Sequence, residues 1–182
     1  NTPSEALKNG IVMVFQENSL VPNMTVSQNL YLGAEKYFNS LARLNIRASR
    51  FLQSLNFNVD PNLLVSQLGA AQKQMVEIAR AVHHNAKVII FDEPTATLTP
   101  EEKHHFFSLM QRLKVQGVSI VFISHALEEA LQNSDRITVL RDGEIIVTDL
   151  ASKFTRERIV KAMIGRDLSD SAYAATGGSK RK

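Results

Sequence analysis

Apolar and polar positions alternate with two periods along this chain, and the periods mark its elements. "IVMVF" (11–15), "VIIF" (88–91) and "VSIVFI" (118–123) are short, uninterrupted runs rich in β-branched residues. Such runs predict strands of a parallel sheet covered on both faces. Between the last two, Phe106, Leu109, Met110 and Leu113 recur at helical spacing. They predict a helix from about Pro100 to Lys114 with that stripe inward. "QKQMVEIARAV" predicts another, with Met75, Ile78, Ala79 and Val82 on its core side. Strand–helix–strand order of this kind indicates an α/β fold.

Other segments are marked by their ends. "TPSEALKNG" predicts a short helix capped by Thr2 or Ser4 and stopped at Gly10. "MTVSQNLYLG" opens with Thr25 and Gln28, a capping-box pair, and closes at Gly33. From about Ala34 to Val65 the chain reads as helical and polar-faced, with Phe51, Leu52 and Leu55 on one side. This predicts an inserted helical subdomain over about 25–84. "RITVLRDGEIIVTD" predicts a hairpin turning at Asp142-Gly143. "TRERIVKAMIG" predicts a last helix, and the aperiodic stretch 167–182 a linker or tail.

Composition narrows the classes. With 182 residues, 44% apolar and 21% charged, the chain has the makeup of a globular domain with a real core. The net charge of +3 is scattered, so no nucleic-acid surface is expected. There is no cysteine, which excludes disulfides and thiolate metal sites and suits a reducing compartment. No apolar run approaches the roughly 20 residues of a membrane helix.

Chemistry gathers at strand ends. Asp92 and Glu93 close an apolar run and precede Pro94, which cannot extend a ladder. In open α/β sheets ligands sit beyond the carboxyl ends of strands. Two acids there suit a Mg²⁺ shell at Asp92 and a general base for water at Glu93. His125 follows a second strand and has the reach to bind a terminal phosphate. Gln16 follows the first strand, and its amide suits Mg²⁺ or a water. A strand simply leaving the core explains any one of these; the three together point to one phosphate-handling edge. The pairs His83-His84 and His104-His105 point about 100° apart on helices and make poor chelates.

In order and spacing these residues resemble the nucleotide-binding domain of ABC transporters. "VFQE" resembles its Q-loop, "QLGAAQKQMVEIARAV" its signature loop and helix, "VIIFDEPTATLT" its Walker B and D-loop, and "ISHALEEA" its switch histidine. "TPSEALKNGIVMVFQE", "EPTATLT" and "IVKAMIGRDLSD" are further similar to importers of simple sugars such as ribose, galactose and xylose. The resemblance implies a P-loop NTPase-like fold over 1–166, with ATP and Mg²⁺ as cofactors. It implies Glu93, His125 and Gln16 as catalytic residues, and Asp92 with Gln16 at the metal. Leu68, Gly69, Ala70, Ala71, Gln72 and Thr99 are implied as nucleotide contacts, the loop 68–72 facing ATP held by an opposing domain. Implied partners are a second nucleotide-binding domain, membrane permease subunits and a periplasmic or extracellular sugar-binding protein, at the cytoplasmic face of a membrane.

Two departures shape the expectation. The family's signature loop is usually Leu-Ser-Gly-Gly-Gln; here Gly69 lacks the serine hydroxyl, and Ala70 and Ala71 restrict positive φ. Thr99, with Pro100 and Glu102, reads well as a helix cap. No G-x-x-x-x-G-K-[ST] occurs in the 182 residues. The resemblance therefore predicts an internal part of a first nucleotide-binding domain, lacking the family's N-terminal part. This part alone is expected not to turn over ATP, and to be poorly stable with an exposed sheet edge. The rival expectations are a non-catalytic docking remnant and a soluble ABC ATPase outside transport.

Overall fold

The described residues hold a small parallel sheet in one unit and a hairpin in another. The computed structural model describes residues 2–14, 19–33, 40–84 and 86–165; Gln16 and the predicted tail lie outside them. The elements run α1 (Pro3–Lys8), β1 (Ile11–Val14), α2 (Val26–Tyr31), α3 (Leu41–Ser54), α4 (Ala70–His83) and β2 (Val88–Asp92). They continue with α5 (Pro100–Val115), β3 (Ser119–Ile123), α6 (Leu127–Asn133), β4 (Arg136–Arg141), β5 (Glu144–Leu150) and α7 (Arg156–Ile164). Two compact units divide between Ile123 and Ser124.

The first unit holds the sheet, in the order β1-β2-β3, all parallel and in aligned register. Residues at Cα partners share a face, so Val12, Val14, Ile89, Phe91, Ile120 and Phe122 form one face. The core packs against that face, with Phe91 at 0% exposure edge-on to Phe106 of α5. The opposite face carries Ile11, Met13, Val121 and Ile123, exposed by 38–47%. The expected parallel sheet is present, and the expected cover on both faces is not, among the described residues. Burial alternates along β2 and β3 because α4 and α5 supply apolar stripes to one side only.

Several local predictions hold for the reasons given. Thr2 and Thr25 cap α1 and α2 through reciprocal bonds with Glu5 and Gln28. Phe106, Leu109, Met110 and Leu113 are the buried residues of α5. The stretch after Ala34 differs. Helix α3 stops at Ser54, and Asn56 takes φ +62°, a left-handed turn that asparagine tolerates. Beyond it the chain is not helical: Phe57, Val59 and Pro61 are buried, and the chain returns to α2. There Pro61 and Leu63 carbonyls accept from the Ser27 and Val26 amides at 3.0 and 2.9 Å.

The second unit holds the hairpin β4–β5, antiparallel, with α6 and α7. Asp142 and Gly143 both have positive φ, +53° and +81°, as a tight hairpin turn of this hand requires. Ile137, Val139, Phe154 and Ile159 form its own apolar cluster.

Candidate functional site

The aligned parallel register brings the carboxyl ends of β1, β2 and β3 to one edge of the sheet. Asp92 is the last residue of β2 and is half-buried. Glu93 follows, its N–H donating to the Ile123 carbonyl at 2.9 Å, so the two strand ends are tied at the point where the acids emerge. Glu93 has φ +48°, a left-handed conformation that costs a non-glycine residue about 1–2 kcal/mol. The neighbours hold it there. Pro94 is fully buried and Thr95 is 4% exposed. The Glu93 and Thr95 carbonyls accept from the Ala96 and Leu98 amides at 3.3 and 3.2 Å.

His125 stands two residues beyond β3, at the start of the second unit, and is exposed. Gln16 lies outside the described residues, two positions beyond β1. Thr99 is the N-cap of α5: its hydroxyl accepts from the Glu102 amide at 3.3 Å, and its own amide donates to Glu102 Oε2 at 2.8 Å. That is the capping arrangement its neighbours predict.

The loop Leu68–Gln72 opens α4. Leu68 is anchored at 5% exposure, while Gly69 and Ala70 are exposed. Gly69 takes an extended N-cap conformation, φ −68° and ψ 166°, and offers no side-chain cap. Its own N–H donates to Gln72 Oε1 at 3.2 Å. The first amides of α4 therefore point outward without a capping side chain, the condition for binding an anion. Neither Ala70 nor Ala71 has a positive φ, so the alanines cost this loop nothing in backbone conformation.

Helix α4 also carries groups the apolar pattern does not reveal. Its buried face is Gln74, Val76, Glu77, Ile78, Ala79 and Ala81; Met75 and Val82, placed in the core by their spacing, are only partly buried. Glu77 is 2% exposed, and Gln74 Nε2 and Glu77 Oε2 have no hydrogen-bond partner among the described residues. Burial raises the Glu77 carboxyl above its ordinary range, against the pull of two bonds from Ser19 and of Arg80. Burial likewise lowers Arg80 from its usual value, opposed by Glu77. At the far end of α4, His83 packs edge-on against Tyr31 and Phe51, with ring centroids 4.6 and 5.6 Å away. Burial, then His84 and Arg47, lower the His83 imidazole. The one sequence signal for Glu77 is a charge set among Met75, Val76, Ile78 and Ala79; nothing in the sequence pairs it with Ser19.

The donor chemistry fits the expected cofactors at the described residues. Asp92 offers hard carboxylate oxygens, and Mg²⁺ takes one or two carboxylates with waters and phosphate oxygens. No group of three or more His, Cys, Asp or Glu gathers among the described residues, so a self-contained metal cage is not part of this picture. No helix among them is long and apolar enough to cross a membrane.

Residues 1–96 match the family described as ABC transporter. A ribose import ATP-binding protein of Chelativorans is 41% identical over 169 residues, 93% of this chain and 33% of that protein. A galactose/methyl galactoside import ATP-binding protein of Clostridium perfringens is 43% identical over 168 residues, 91% of this chain and 33% of that protein. The chain thus spans about a third of the length of these curated relatives. Among solved structures, a dimeric ATP-binding cassette in a post-hydrolysis state, bound to ADP and Pi, superposes with a TM-score of 0.72. It is 26% identical, over 85% of this chain and 69% of that one. The ADP conformation of another ABC transporter cassette superposes at 0.70 and 26% identity, over 95% and 72%.

Proposed function

The chain belongs to the ABC transporter family, and from that premise we propose that it is part of the ATP-hydrolysing subunit of an importer for a simple sugar. The observation that carries the proposal is Glu93, held at φ +48° beside Asp92 where two parallel strand ends are tied together. Sugar as the cargo rests on the printed functions of the relatives, ribose and galactose or methyl galactoside import.

Each residue takes the role that its motif implies. Glu93 is the general base, taking a proton from the water that attacks the terminal phosphate. Asp92 and Gln16 hold Mg²⁺ or its waters. When bound, Mg²⁺ neutralises charge on the phosphate oxygens. His125 donates a hydrogen bond to the terminal phosphate. The amino end of α4, with Leu68, Gly69, Ala70, Ala71 and Gln72, presents backbone N–H groups to ATP held by an opposing nucleotide-binding domain. Thr99 caps α5 and keeps a hydroxyl proton to donate toward the same nucleotide. This subunit sits at the cytoplasmic face of the membrane, with permease subunits in the membrane and a sugar-binding protein on its outer side as partners. We propose 1–166 as part of one nucleotide-binding domain, with about 25–84 as its helical subdomain.

The test is ATP turnover by the intact polypeptide assembled with its permease in liposomes, with and without liganded sugar-binding protein. Turnover that rises when the binding protein carries a sugar supports the reading. Turnover indifferent to the permease and binding protein points instead to an ABC ATPase outside transport, and no turnover at all to a docking module.

A further inference from the structure

His125 stands inside a closed turn. The Ala126 amide donates to Ser124 Oγ at 3.0 Å, and the ring which that bond closes contains the whole backbone of His125. Ser124 is half-buried and His125 is exposed. On the near side, Ile123 ends β3, and its carbonyl accepts from the Glu93 amide at 2.9 Å. On the far side, Ala126 is the N-cap of α6, and its carbonyl accepts from the Ala130 amide at 3.1 Å. The chain is therefore tied just before and just after Ser124-His125, and the Ser124 hydroxyl closes the gap between the two ties.

Helix capping does not explain this serine. A serine that serves a helix stands at the N-cap, where its oxygen accepts from the second or third helical amide. Ser124 stands two positions earlier and accepts from the amide of the N-cap residue itself. The N-cap is an alanine, and α6 begins with no side-chain cap bond. The hydroxyl is thus used on the turn that carries His125 and not on the helix. A bond from a serine hydroxyl to the backbone two residues on defines a turn where neither strand nor helix does so. Such definition matters for a side chain that must aim a hydrogen bond, because these bonds weaken steeply with misalignment.

We propose that Ser124 is a positioning residue for the hydrolytic reaction: its hydroxyl fixes the backbone of His125, and with it the direction in which the imidazole meets the terminal phosphate. The proposal rests on the role given above to His125. Ser124 touches none of the reacting atoms. Threonine offers the same acceptor at this position, and alanine offers none.

The test uses the intact polypeptide in its permease complex. Ser124→Ala is expected to lower kcat about tenfold, less than the roughly hundredfold that a misplacement of about 1 Å can cost. Ser124→Thr keeps the acceptor and most of the parent rate. Ala126→Ser separates positioning from stability, since it gives α6 a hydroxyl at its N-cap. Added to Ser124→Ala, it should raise the unfolding midpoint and leave the rate low. In a His125→Ala chain, Ser124→Ala takes nothing further from the residual turnover, because both act through one side chain. A parent rate in Ser124→Ala, an equal loss in Ser124→Thr, a rate restored by Ala126→Ser, or additive losses would leave Ser124 a purely structural residue and overturn the proposal alone. Full turnover by His125→Ala removes His125 from the reaction, and then the proposal falls together with that part of the functional reading.

Discussion

Strand β2 and helix α4 each deliver chemistry from the same core, and they do it by opposite means. The strand is apolar until its last residue, and its buried Ile89 and Phe91, with the backbone bond from Glu93 to Ile123, fix where Asp92 and Glu93 emerge. The helix buries Gln74 and Glu77 beside Ile78 and Ala79, and its outer end stays open at Gly69. The strand end is thus held by apolar packing and backbone bonds, and the helix by side-chain hydrogen bonds made from its buried face.

The comparison breaks most visibly at Phe91. Phe91→Ala removes a fully buried ring and its edge contact with Phe106, and should cost about 3–5 kcal/mol in chemical denaturation of the folded polypeptide. A cost near 1 kcal/mol means the core does not set this edge. Strain at the neighbouring position should show with the opposite sign. Glu93→Gly frees a left-handed backbone and should add about 0.5–1 kcal/mol of stability while removing the proposed base. A loss of stability would show that Glu93 is not strained.

On α4 the corresponding probe is pH. The folded His83 is depressed below its ordinary value by burial, then by His84 and Arg47. Its contribution is present above the unfolded value of about 6.5 and is lost as pH falls through the folded value. Glu77 acts in the other direction. Its folded carboxyl is raised, so its contribution is complete below the ordinary carboxyl range and is lost as pH rises through the folded value. Denaturation midpoints of His83→Gln should lose the acid-side fall, and those of Glu77→Gln the decline with rising pH. Midpoints parallel to the parent chain would show that neither group is linked to folding. The smallest effect belongs to the open end of the helix. Gly69 already has N-cap geometry with free space where a Cβ would stand, so Gly69→Ser should add a few tenths of a kcal/mol. A marked destabilisation would show that the loop is tighter than described.

What was legible in the sequence follows the same division. The strands, the α5 stripe, the Thr25 and Thr99 caps and the Asp142-Gly143 turn are local signals, and local signals survive folding. The covering of the sheet is not local, because periodicity marks an apolar face and leaves its cover unstated; Val121 and Ile123 read as core and are exposed. The end of α3 depended on Asn56 alone, in a stretch whose polarity suits helix and loop equally. Glu77 and Arg80 stand in the sequence only as charges among apolar residues, and their shared contact with Ser19, some 60 positions earlier, makes them a unit. Asp92, Glu93 and His125 were readable only as residue types at or just beyond strand ends, and the structure places them there. Their assignment to nucleotide hydrolysis came from the family.

The most direct test of that assignment is Glu93→Gln in the intact polypeptide, with ATP affinity and turnover measured on the same preparation. The account predicts ATP affinity within about twofold of the parent and hydrolysis lower by about 10²–10⁴, the contribution of a positioned general base. Undiminished hydrolysis would contradict it.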